Sequence, residues 1–100
     1  MCEFKVKDKA DGTQLAEEIV VLSYSDKNKL LLKDILGVSK ESESALIYDV
    51  DTLDQTCTLI QHPLVNPFLT LMEKITQNKV KKSDIEVLQE KLEEIKKELK

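Results

Sequence analysis

The sequence predicts a mainly β protein, α+β overall: a small five-stranded barrel or sandwich followed by a C-terminal helical extension. Three observations predict it. Apolar and polar residues alternate with period two as far as His62. Turn-forming residues break that alternation at short intervals, which is the pattern of a small all-β unit. Beyond Pro63 the apolar residues recur three and four apart, as one face of a helix requires. The division gives a barrel over 1–62 and a helical extension over 63–100, with helices over about 67–77 and 83–99.

In the first strand Cys2, Phe4 and Val6 alternate with Glu3, Lys5 and Lys7, which makes one face buried and one solvated. Residues 8–13 form a turn in which Asp11-Gly12 supplies the left-handed position. The stretch 15–24 is two-sided: Ala16-Glu17-Glu18 could start a helix, but Ile19, Val20 and Val21 favour a strand. Residues 25–28 turn the chain into a leucine-rich third strand over 29–36, with Gly37 near its end. Residues 39–44, SKESES, read as a polar loop. A fourth strand over 45–51, a turn over 52–55 and a fifth strand over 56–61 complete the unit.

The extension opens with Asn66-Pro67, a helix start in which Asn caps and Pro supplies the right φ. Phe68, Leu71, Met72 and Ile75 make its apolar face, and Asn78 is placed to stop it. In the second helix Ser83 and Glu86 have capping-box spacing. Ile85, Leu88, Leu92, Ile95 and Leu99 form a heptad seam. A helix of this length is marginal alone. Its narrow stripe requires a partner: the preceding helix, the barrel or a second copy of the chain.

At 100 residues the chain is one domain, small enough to gain from oligomerisation. No apolar run approaches the ~20 residues of a membrane helix. No basic-then-apolar leader is read, so a cytoplasmic location is expected. Two cysteines make no disulfide framework, and Cys57 in TCTLI reads as a small buried hydrophobe. Residues 1–62 hold 7 Lys against 12 Asp and Glu, and residues 63–100 hold 8 against 7. There is no arginine, and only four aromatic residues are available for stacking on bases. This acidic barrel argues against nucleic acid as the partner.

No glycine-rich phosphate loop is present, and one His with two Cys cannot supply four zinc ligands from one chain. Asp49 and Asp51 share a strand face, which reads as a solvated edge before a turn rather than a cation site. His62 beside Pro63 reads as a surface loop residue. The chain carries no enzyme signature.

The order MCEFKVK, EEIVVL, LLLKDILG, LIYDVD and CTLI over residues 1–61 resembles the CooT family of small nickel-binding proteins. Members of that family are also catalogued as predicted RNA-binding proteins. The resemblance implies an SH3-like barrel that dimerises and binds Ni(II), with Cys2 as the metal residue. It also implies a role in nickel handling for metalloenzyme maturation, such as that of carbon monoxide dehydrogenase. Residues 63–100 go beyond the compact family pattern.

The chemistry of Cys2 agrees with that implication. Excision of Met1 would leave one residue with an α-amine and a thiol, followed by a backbone amide. Nitrogen and sulfur donors of this kind suit Ni(II) or Cu(II). A two-fold axis would bring a second Cys2 alongside the first. The competing reading makes Cys2 a buried strand residue in step with Phe4 and Val6. Two other functions stay open at this stage: a small RNA-binding barrel, and a scaffold that holds a partner protein on the 83–99 seam.

Overall fold

The computed structural model describes residues 3–100. Its elements in chain order are β1 (Phe4–Asp8), β2 (Gln14–Tyr24), β3 (Leu30–Asp34), β4 (Ser39–Ser42), β5 (Ala45–Asp51), β6 (Thr56–Gln61), α1 (Val65–Thr76) and α2 (Lys82–Glu98). The strands form one mixed sheet in the order β4-β3-β2-β1-β6-β5. β6 runs parallel to β1, pairing Val6 with Cys57, and all other pairs are antiparallel. No helix among the described residues is long and apolar enough to cross a membrane.

The architecture is α+β, with six strands where five were expected. The additional strand is β4, which lies in the stretch 39–44 expected to be a polar loop. It pairs with Leu30–Lys33 through backbone hydrogen bonds, and Ser39, Lys40 and Glu41 are exposed. A strand with no buried face shows no alternation, and charges on an edge strand discourage pairing with other chains. A simple meander runs only from β1 through β4. The chain then crosses to the opposite edge, and β6 returns beside β1.

The sheet curls into a half-barrel because β2 bends. Glu18 has φ 56, and the ladder slips between Ile19 and Val21. Such bulges sharpen twist and redirect a strand. The second half of β2 is thereby carried over toward β5. The Tyr24 hydroxyl donates to the Ala45 carbonyl at 2.8 Å and accepts from the Ile47 N–H at 3.1 Å. Burial pushes the Tyr24 hydroxyl above its ordinary pKa, which keeps that donor protonated.

Inside the curl pack Val6, Ile19, Leu30, Leu32, Ala45, Cys57 and Leu59. Burying a side chain such as Leu30 or Leu59 contributes about 1.5–3 kcal/mol. The turns use the expected residues: Gly12 (φ 75) closes the β1–β2 connection, and Gly37 (φ 85) the β3–β4 connection.

α1 begins at Val65, one residue before Asn66, with Leu64 at its N-cap, so Asn66 does not cap it. The Asn66 Nδ2 instead donates to the carbonyls of Lys27 (2.8 Å), Asn28 (2.9 Å) and Glu43 (3.2 Å). Asn28 returns the contact, its Nδ2 donating to Thr70 Oγ1 at 2.9 Å. These bonds dock the helix on the sheet.

α1 ends in a Schellman motif. Asn78 takes φ 57, its N–H reaches the Ile75 carbonyl, and the Lys79 N–H reaches that of Lys74. α2 then starts from Lys81 rather than from Ser83. Asp84 Oδ2 accepts the Lys81 N–H at 2.8 Å while Oδ1 accepts from Lys74 Nζ at 2.9 Å. The tie to α1 selects Asp84, and the box expected at Ser83 and Glu86 falls inside the helix.

Candidate functional site

Cys2, the metal residue implied by the sequence, lies outside the described residues. β1 is central: Phe4 faces Ile19 of β2 on one side, and Lys5 donates its N–H to the Gln55 carbonyl on the other. Two turns project at this end of the sheet. The turn after β3 is tied to β2 by the Ile35 N–H on the Glu18 carbonyl, and it exposes Ile35, Leu36 and Val38. The turn before β6 exposes Leu53 almost completely.

Cys57 is fully buried in the core opposite Val6. Burial pushes its thiol pKa up, and the charge of Asp49 adds to the effect. A thiol so placed is a packing residue, because metal ligation requires the thiolate. His62 is exposed, and its Nδ1 accepts the Leu64 N–H at 3.0 Å, which fixes the turn into α1. Asp51 Oδ1 accepts the N–H groups of Leu53 and Asp54 at 2.9 and 3.0 Å. Asp51 therefore organises the β5–β6 turn. Among the described residues no three His, Cys, Asp or Glu side chains come together as a metal-holding group.

Two surface features were not anticipated from the sequence. One is an open polar cleft where the turn of residues 25–28, β4, the end of β6 and the start of α1 meet. Its side chains are largely engaged with one another: Lys29 pairs with Glu43 at 3.3 Å, and Ser44 Oγ accepts the Asn66 N–H at 2.9 Å. The other is a wholly apolar groove of about 320 Å³ between α1, α2 and β5. Leu88 and Leu92, two residues of the heptad seam, line it together with Phe68 and Leu69 of α1 and Leu46 of β5. The outward-facing Leu46 was the available signal, since alternation along β5 places it opposite the core residues Ala45 and Ile47.

The α+β half-barrel with a docked helical pair is the class of protein that these observations define. No family model and no curated protein matches the chain.

Proposed function

We propose that the protein is a non-enzymatic nickel(II)-binding protein, a chaperone or accessory factor for metalloenzyme maturation, with Cys2 as the metal residue. The observation that carries the reading is the Met1-Cys2 start, in a chain whose other thiol, Cys57, is sealed in the core. The donor set fits the metal: with Met1 removed, an α-amine and a thiolate on one residue, followed by a backbone amide, favour Ni(II) or Cu(II). One chain then supplies half a site, and a homodimer supplies the rest. The exposed apolar turns at the end of the sheet where β1 begins support such pairing.

The small curled sheet supports an SH3-like relationship, and the client that the resemblance implies is an enzyme such as carbon monoxide dehydrogenase, in the cytoplasm. Calorimetric titration with Ni(II) tests the reading. Cys2→Ser should lower affinity by orders of magnitude and abolish thiolate-to-nickel charge-transfer absorption. Cys57→Ser should leave both in place. Unchanged affinity in Cys2→Ser would overturn the proposal.

A second reading, a module that holds a partner protein, is favoured by the apolar groove beside α2. No observation favours RNA, and a steep salt dependence of RNA binding would be needed to restore it.

A further inference from the structure

The groove between α1, α2 and β5 is open along one side. Phe68, on its floor, is 50% exposed, and Leu92, on its α2 wall, is 49% exposed. Its lining is entirely apolar, with Leu64, Val65 and Leu69 completing the α1 side. No polar group is present to orient a small molecule, as ligand pockets require. A groove walled by helix and strand instead has the form that receives the apolar face of a helix.

Charge at the rim identifies the kind of helix. Asp84, Val87 and Lys91 line the cleft on the opposite side of the α1–α2 contact. The helical repeat therefore places the row Lys82, Gln89 and Lys96 on the groove side, directly outside Ile85 and Leu92. All three are exposed. Glu86 and Glu93 stand one row farther out. The α2 rim thus carries lysine toward each end of the helix, in a chain whose net charge is -4.

A second copy of α2 fits poorly. Antiparallel pairing about Gln89 would set Lys82 against Lys96. That arrangement opposes like charges.

We propose that this groove is a docking site for an amphipathic helix of a partner protein, with apolar anchors on one face and acidic residues flanking them. The site is independent of the metal reading. Titration of the full chain with a synthetic helical peptide tests it, the peptide carrying leucines at i, i+3, i+4 and i+7 with flanking glutamates. Amide resonances of Leu46, Phe68 and Leu92 should shift on binding. The double variant Lys82→Glu/Lys96→Glu, which alters only exposed side chains, should bind about tenfold more weakly. A peptide with lysines in place of the glutamates should be weakened similarly. Equal binding of the two peptides, or shifts confined to other surfaces, would overturn the proposal. So would self-association through Phe68, or binding to anionic vesicles without binding to the acidic peptide.

Discussion

The two halves of the molecule treat apolar side chains in opposite ways. The sheet seals them: Val6, Leu30, Ala45, Cys57 and Leu59 have no exposure at all. The helical pair leaves them half open, and α2 has no buried residue. The sheet is held by its core, whereas the helices are held by a few polar ties and one buried leucine, Leu71. Stability therefore resides in the first 61 residues, and the surface free to engage a partner resides in the helices. Local opening follows this gradient of burial.

The largest effect should come from the sheet. Leu59→Ala removes a fully buried side chain and should cost about 2–5 kcal/mol in denaturant unfolding. A cost below the lower end of that range would show that the curled sheet relaxes around the cavity and is less closely packed than its burial indicates.

Cys57→Ser follows, because a hydroxyl would replace a thiol beside Val6 with no partner provided. The expected loss is about 1–3 kcal/mol, read from the same unfolding curves.

Asn66→Ala tests the seam between the two halves. It removes three hydrogen bonds to the carbonyls of residues 27, 28 and 43. The expected cost is about 1–2 kcal/mol, with faster amide exchange confined to α1 and α2. Exchange that rose equally in β1 and β6 would erase the distinction between the halves.

The smallest effect belongs to the α1–α2 tie. Lys74 first, and the Lys81 N–H second, hold the Asp84 carboxyl below its ordinary 3.8. A depressed carboxylate contributes stability that is fully present above 3.8 and lost as pH falls through the lower folded value. Amide exchange in α2 should accelerate in that acidic range in the wild type. Asp84→Asn should show the faster exchange at neutral pH and lose the acid dependence of this tie.

Much of this division was legible in the sequence. Alternation and turn chemistry locate β1, β5 and β6, and the 3.6 period locates both helices. The strand β4 was hidden because an exposed edge has no apolar face to reveal it. Asn66 was misassigned as a cap because Asn-Pro is a strong local signal, whereas its carbonyl partners lie more than twenty residues away. The capping pair moved two residues upstream because Asp84 is anchored by Lys74, a contact between helices that local spacing does not record. The groove takes residues from three elements, so no single periodicity outlines it. The chemistry of Cys2 is read from the sequence, and its place follows only as far as the entry of β1 between β2 and β6.

The central claim is that metal binds at Cys2 and not at Cys57, which the core seals. Native mass spectrometry of the protein loaded with Ni(II) tests it most directly. The account predicts one nickel per pair of chains, carried only by chains that begin at Cys2 and absent from Cys2→Ser. Nickel retained by Cys2→Ser, or lost on Cys57→Ser while the fold is intact, would contradict it.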